Sequence, residues 1–373
     1  MMRIIRMEKD FRLNIVTLGK TGVGKSSLLN YLFGTKFETG IGRPVTPADL
    51  IETDADINGH AVRVYDSWGI EADKLTEWNN LLKDKAEEHG AAKNPEEWFH
   101  AVVYCILAGG SRIEDCDANI ISNFVNQGYK VTVAITKADQ ISEDDERNFK
   151  KAIFETIGKE KINVVSVCVG AKTRSGETKP FGRDELIDSI LSSWVETVKN
   201  RISTATIERL YGHLDTFKSE LNDLVDNYDI SGRREGNDEL AKLLETKIQA
   251  KMQELKTETV NEEAKDLLKR CYDIGYNLQS SFGEISLSKI HSPFKNFDSE
   301  NNKNIGWWYT GYALTLGVMP LINSYAPKFI ENQKDRIKGV IEQSICNCKN
   351  LLEKELLPMI QTEIEKLLEA KKN

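Results

Sequence analysis

Short β-branched runs alternate with amphipathic stretches over the first half of the chain, and the second half carries amphipathic stretches almost alone. The runs are Asn14–Gly19, Ala61–Asp66, Ala101–Leu107, Val131–Thr136 and Ile162–Val169. Helical spacing fills the intervals at Lys25–Leu32, Lys74–Glu88, Asp115–Asn126, Asp144–Gly158 and Arg183–Asn200. Strand and helix in alternation predict an α/β fold: a mostly parallel sheet with helices on both faces. Leu50–Asp56 followed by Asn58-Gly59 predicts a hairpin, because Asn-Gly is a strong turn signal, and so one antiparallel edge strand.

After Asn200 the strand signals nearly stop. Ile207, Leu210, Leu214, Phe217, Leu221, Leu224 and Tyr228 recur in three- and four-residue steps, a stripe along one helix. Leu240, Leu244, Ile248, Met252 and Leu255 make a second stripe, continuing to Leu267 and Cys271. Ile337, Ile341, Ile345, Cys348, Leu352, Leu356 and Met359 make a third, which Pro358 is expected to kink. Three such stripes predict an all-α helical bundle, with an intermolecular coiled coil as the weaker alternative. The polar stretch Ile230–Asp238 reads as the loop between the first two helices. The chain thus divides into residues 1–202, α/β, and residues 203–373, helical.

Gly19-Lys20-Thr21-Gly22-Val23-Gly24-Lys25-Ser26 fits G-x-x-x-x-G-K-S between a predicted strand and a predicted helix. The glycines let backbone N–H groups turn inward around a β-phosphate beside the helix N-terminus. Lys25 is placed to reach the β- and γ-phosphates, and the Ser26 hydroxyl to ligate Mg2+. The nucleotide contacts expected here are Gly19, Thr21, Gly22, Val23, Gly24, Lys25, Ser26 and Ser27.

Thr136-Lys137-Ala138-Asp139 directly follows an apolar run and resembles the N/T-K-x-D motif of the GTPase superfamily. The resemblance makes Asp139 the acceptor for guanine N1–H and its exocyclic amine, with the Lys137 stem over one face of the base. Adenine has no donor at N1 and would leave the carboxylate unpaired, a loss of roughly 1–3 kcal/mol or more. Asp66-Ser67-Trp68-Gly69 fits D-x-x-G, which implies Asp66 holding Mg2+ through water and the Gly69 amide on the γ-phosphate. Trp68 stands where relatives commonly have proline. Thr46, between Pro44 and Pro47, is the candidate for the first switch threonine, against the plainer reading of a turn residue. By the same resemblance Lys25, Thr46 and Gly69 carry catalysis, and Ser26, Thr46 and Asp66 the metal. The last base-binding loop aligns at Cys168-Val169, with Ala171-Lys172 as the alternative.

The run Gly-Lys-Thr-Gly-Val-Gly-Lys-Ser-Ser-Leu-Leu-Asn and the later Gly-x-Pro-Val-Thr resemble Era-like, TRAFAC-class P-loop GTPases. The immunity-related, septin-like and prophage-type members are nearest, and Pro180–Leu186 resembles them too. The likeness covers about residues 10–200 and implies a GTP-binding, GTP-hydrolysing switch with Mg2+ as cofactor and GTP and GDP as substrate and product. In the Ras-like pattern a glutamine that orients the attacking water follows D-x-x-G; Ile70 stands there. An aliphatic side chain cannot orient water, so hydrolysis is expected to be slow alone and faster in a homodimer through the G domains. Potassium-assisted relatives have asparagine where this chain has Gly22. Arg43 reads as a surface charge or as an arginine finger. The alternative function is a GTP-loaded binding module that scarcely hydrolyses and recruits a protein partner through its helices.

Composition changes little of this. A net charge of −8 argues against a nucleic-acid coat, and the small basic group Arg3, Arg6, Lys9 and Arg12 reads as a solvated lead-in. Six cysteines lack zinc-site spacing, and Cys105 and Cys168 read as small core residues. The first twelve residues lack the apolar core of a signal peptide, so a cytoplasmic location is expected. Residues 305–327 are uncharged and aromatic-rich but diluted by Gly, Pro, Thr, Asn and Ser. Three readings stand for them: a buried helical hairpin, a membrane-inserting paddle that would make the protein peripheral to a membrane, and a spanning helix.

Overall fold

The computed structural model describes residues 12–39, 50–57, 60–67, 69, 75–110, 112–170, 172–173, 176–228, most of 240–271, 333–358 and 360–362. Thr46, Trp68, Ile70, Arg43, Ala171 and the segment 305–327 lie outside them, as does the Asn58-Gly59 turn. Contacts divide the chain into two compact units, Met1–Arg201 with Arg270–Asn296, and Ile202–Lys269 with Phe297–Asn373.

The first unit is built on strands β1 (Leu13–Gly19), β2 (Leu50–Ile57), β3 (His60–Ser67), β4 (Ala101–Leu107), β5 (Val131–Thr136) and β6 (Ile162–Val167). They form one sheet in the order β2-β3-β1-β4-β5-β6. Only β2 is antiparallel, paired from Leu50↔Ser67 to Ile57↔His60, so the predicted edge hairpin is present. Helices α1 (Lys25–Phe33), α2 (Leu75–Glu88), α3 (Asp115–Asn126) and α4 (Glu143–Ile157) alternate with the strands. Ser142 caps α4, its hydroxyl accepting from the Asp145 amide, and four carboxylates follow in the first turn, where the helix dipole favours them. A short hairpin, β7 (Lys172–Thr173) and β8 (Gly176–Glu177), precedes α5 (Arg183–Asn227).

Alternation sorts the strand residues onto two faces. Val16, Tyr104, Ile106 and Val133 meet Trp78, Ile121, Phe124 and Phe149 in one core. On the other face Thr132 bonds Ser189 at 3.1 Å and Ser193 at 2.9 Å, and Asn163 donates to Ser193 at 3.0 Å. The face of α5 packed there therefore carries the hydroxyls of Ser189 and Ser193, which β5 and β6 satisfy. This helix does not stop near Asn200 as its spacing suggested. It runs for 45 residues, because nothing between Lys199 and Thr204 breaks a helix, and it contributes residues to both units.

Below the sheet, Asn14 and His100 form a buried polar knot. The Asn14 amide donates to His100 Nδ1 at 2.8 Å, His100 Nε2 meets the Pro95 carbonyl at 2.8 Å, and Asn14 Nδ2 donates to the Glu96 and Trp98 carbonyls. Neutral imidazole with its proton on Nε2 satisfies all of these, whereas a proton on Nδ1 would face another N–H. Burial accordingly lowers the His100 pKa to about 4, with Arg201 and His89 acting in the same direction. A histidine depressed in the fold contributes stability above pH 6.5 that is lost as pH falls towards 4, since the unfolded chain binds the proton first. The loss is expected to be on the order of 3 kcal/mol. Urea titrations from pH 7.5 to 4.5 should show it, and His100→Gln should flatten the slope from a lower starting stability. An unchanged slope in that variant would assign the acid sensitivity elsewhere.

In the second unit most described stripe positions are buried, while Leu224, Tyr228 and Ile337 are half-buried. Ile207, Leu210, Leu214, Phe217 and Leu221 are inside, and Val225 takes the place expected for Leu224. Leu240, Leu244, Ile248, Leu255 and Leu267 are likewise buried. Arg209 bridges Glu263 and Asp266, each at 2.8 Å. Helix α6 (Gln333–Leu351) passes into a wider π turn at Leu352–Leu356. That turn accommodates Pro358, whose missing N–H and bulky ring disturb the preceding turn. Among the described residues no helix is long and apolar enough to cross a membrane.

Candidate functional site

The order of strands changes direction at β1, whose neighbours β3 and β4 both follow it in the chain. Chain connections leave β1 to both sides, opening a crevice beyond its C-terminal end. The phosphate-loop sequence lies there. Gly22 and Gly24 take left-handed conformations, φ 81° and 99°, which reverse the chain into α1. The first turn of α1 holds no acidic residue and no side-chain cap, so its amides and dipole are left for an external anion.

Lys25 is buried, and its ammonium lies 3.0 Å from the carbonyls of both Gly19 and Lys20. Burial lowers its pKa, opposed by the nearby Asp66 carboxylate. Ser26 Oγ donates to Asp66 Oδ2 at 2.6 Å. Asp66 is 1% exposed, and among the described residues its Oδ1 has no hydrogen-bond partner. Burial raises the Asp66 pKa, and the Ser26 bond and Lys25 charge hold it down. A buried carboxylate oxygen without a donor beside a hydroxyl is a hard-oxygen pair that suits Mg2+, which takes one or two protein oxygens plus phosphate. Gly69 approaches the loop so closely that a Cβ on it would lie 2.3 Å from Thr21 Oγ1 and 2.5 Å from Thr21 Cα. Only glycine fits between them.

The Thr136-Lys137-Ala138-Asp139 sequence arrives from the end of β5. Thr136 directs its hydroxyl to the Val23 carbonyl at 2.6 Å and the Ile106 carbonyl at 3.2 Å, so it braces the phosphate loop instead of facing a ligand. Lys137, left-handed at φ 52°, stretches across to the Gly22 carbonyl at 3.2 Å. Its stem therefore crosses the space between the two sequences. Asp139 stands exposed on a single 3-10 turn, Ala138–Gln140. The Cys168 thiol comes to it: burial first, then a hydrogen bond to the Asp139 carboxylate, push that thiol's pKa up.

One assignment needs correction. The Cys168 amide donates to the Phe181 carbonyl at 3.1 Å, and the Phe181 amide returns the bond at 3.0 Å. The Cys168 N–H, expected to face a base, is therefore taken by Phe181. Gly19, Thr21, Gly22, Val23, Gly24, Lys25, Ser26, Ser27, Asp66, Gly69, Thr136, Lys137, Asp139, Cys168 and Val169 are all described; Thr46 is not. Sequence reasoning passed over Lys20, whose ammonium lies 2.9 Å from carboxylate oxygens of both Glu114 and Asp117. The signal available was a lysine inside the loop and a Glu-x-x-Asp opening α3.

A family model described as a 50S ribosome-binding GTPase matches residues 14–137. The chain is 25% identical over 183 residues to cell division control protein 10 of Candida albicans, covering 42% of this chain and 50% of that protein. It is 30% identical over 210 residues to GTPase Der of Dinoroseobacter shibae, covering 54% and 39%. The chain thus spans half or less of the length of these curated relatives. Among solved structures, Era of Aquifex aeolicus bound to GDP.AlF4- aligns at 21% identity, TM-score 0.37, over 48% of this chain and 56% of that one.

Proposed function

From the premise that residues 14–137 form a P-loop GTPase domain with a guanine-nucleotide site, we propose that the chain is a GTP-hydrolysing switch with residues 1–202 as its G domain and 203–373 as its helical effector part. One observation carries the reading. Phosphate loop, D-x-x-G carboxylate and base-reading turn meet at one crevice, joined by Ser26 to Asp66, Thr136 to Val23 and Lys137 to Gly22.

In this proposal the loop amides and Lys25 receive the β- and γ-phosphates, and Asp139 with the Val169 amide reads guanine. Ser26, Asp66 and Thr46 would hold Mg2+, which supplies positive charge to the phosphate oxygens as negative charge moves onto the leaving group. Lys25 leaves the Gly19 and Lys20 carbonyls for the phosphates, exchanging neutral acceptors for charged ones. Gly69, packed on Thr21, places its amide beside the same phosphates. Ile70 at the position of the water-orienting glutamine makes turnover slow in the isolated chain. The missing group then comes from a second G domain, with GTP favouring the dimer and the helical part reporting the change.

Phosphate release per molecule is therefore expected to rise several-fold as protein is concentrated from about 0.1 to 50 µM at saturating GTP and Mg2+, the span in which a weak dimer fills by mass action. A flat turnover number accompanied by tight GTP binding would replace this reading with that of a GTP-loaded module recruiting a partner through its helices. ATP outcompeting GTP would remove both.

A further inference from the structure

Lys20 is the second residue of the phosphate loop and makes no use of the crevice. Its ammonium lies 2.9 Å from Asp117 Oδ2 and 2.9 Å from Glu114 Oε2, at the start of α3. Asp117 is buried, 3% exposed, and its other oxygen accepts the Tyr104 hydroxyl at 2.7 Å. The Glu114 amide donates to Asp117 Oδ2 at 3.3 Å, closing the capping box of α3. Tyr104 sits on β4 with no exposure at all. A chain of charge-assisted contacts thus runs from the sheet core through α3 to the phosphate loop.

The loop end of that chain matters because of the backbone. The Lys20 carbonyl is one of the two on which the Lys25 ammonium rests, at 3.0 Å. The residues after it, Thr21 to Gly24, are those whose amides would wrap a phosphate. A glycine-rich loop has many conformations to lose, and one fixed before the ligand arrives loses less on binding. A lysine spread between two carboxylates, one of them buried, is a strong anchor for such a loop. Burial lowers the Lys20 pKa, yet the Glu114 and Asp117 carboxylates raise it above the ordinary lysine value, so the ammonium persists throughout the neutral range.

We propose that Lys20 is a positioning residue for nucleotide binding: its side chain ties the phosphate loop to the first turn of α3 and sets the loop backbone in its phosphate-ready place. The proposal rests on the reading of that loop as a guanine-nucleotide site. It also makes α3 a lever on nucleotide release, since a shift of Asp117 would move the loop through Lys20.

The test uses the full chain with a fluorescent GTP analogue and Mg2+, following dissociation rate, KM and kcat. Lys20→Ala is expected to release nucleotide ~10-fold faster and to raise KM similarly, with kcat within about 2-fold, the pattern of lost uniform binding. Melting of the nucleotide-free protein should fall by only a few degrees, because Asp117 keeps the Tyr104 hydroxyl and the Glu114 amide as donors, and Lys20→Arg should restore tight binding. Adding Asp117→Asn to Lys20→Ala should cost less affinity than Asp117→Asn costs alone, as expected for one coupled unit. Wild-type affinity in Lys20→Ala overturns the proposal. So does an affinity loss matched by a large fall in melting temperature and not rescued by arginine, which marks a structural role. A wild-type chain that binds no guanine nucleotide would instead overturn the functional reading beneath it, and that result is read before any variant is made.

Discussion

Asp139→Asn is expected to lower GTP affinity by ~10²–10³-fold and to erase the preference of GTP over ATP, while xanthosine triphosphate becomes the better ligand. Guanine presents N1–H and an exocyclic amine, two donors that a single carboxylate can accept together. An asparagine amide accepts one and turns its own N–H against the other. Each charge-assisted bond contributes about 1.5–3 kcal/mol, and an opposed donor costs more than a missing one. Xanthine carries a carbonyl in place of that amine, so the amide matches it donor to acceptor. Asp139 stands exposed on its 3-10 turn, and the fold should not register the change beyond about 0.5 kcal/mol. The Cys168 thiol that now meets the carboxylate keeps an acceptor in the amide oxygen. Competition binding with the three triphosphates decides the matter. A variant that keeps the wild-type ratio of GTP to ATP affinity would show that Asp139 does not read the base.

That residue was legible because a short motif followed an unmistakable strand. Periodicity located β4, β5 and α3 to the residue, since apolar runs there end on abrupt changes of composition at Gly109-Gly110, Lys137 and Gln127-Gly128. The continuation of α5 was not legible. Its packed face sets Ser189, Ser193 and Thr197 among Leu186, Ile190, Trp194 and Val198, and on spacing alone those hydroxyls resemble the edge of a solvated face. Only the partners on β5 and β6 turn those hydroxyls into core. Arg201 makes the same point: its guanidinium is buried over the rings of Tyr129, 4.3 Å away, and Trp98, 5.3 Å away. A charged residue 70 and more positions from either ring gives no local sign of that. Within the site, motif reading names side chains by type but does not assign backbone amides. The Cys168 N–H is committed to Phe181, a bridge that depends on how the chain returns after the β7–β8 hairpin. Lys20 escaped for a related reason, its partners lying about one hundred residues away on α3.

Lys25→Met should separate the two demands placed on the phosphate loop, stability and binding, by moving them in opposite directions. In the structure the Lys25 ammonium is almost wholly buried, offset among the described residues mainly by two neutral carbonyls and the Asp66 carboxylate. Burying a cation is costly, and replacing one by an apolar side chain of similar length is often neutral or stabilising. The nucleotide-free variant is therefore expected to melt at or above the wild-type temperature, by about 2–4 °C if the gain is near 1 kcal/mol. Binding should respond the other way, because two charge-assisted contacts to phosphate are removed, a loss of ~10³-fold or more. Linkage makes the contrast visible in one thermal assay. GTP at a thousand times the wild-type Kd adds about 4 kcal/mol to the wild type but only about 0.4 to a variant bound a thousandfold more weakly. Thermal melts with and without GTP and Mg2+ then distinguish the cases. A variant that is destabilised without nucleotide, yet gains as much from GTP as the wild type, would place Lys25 in the fold and outside the phosphate site.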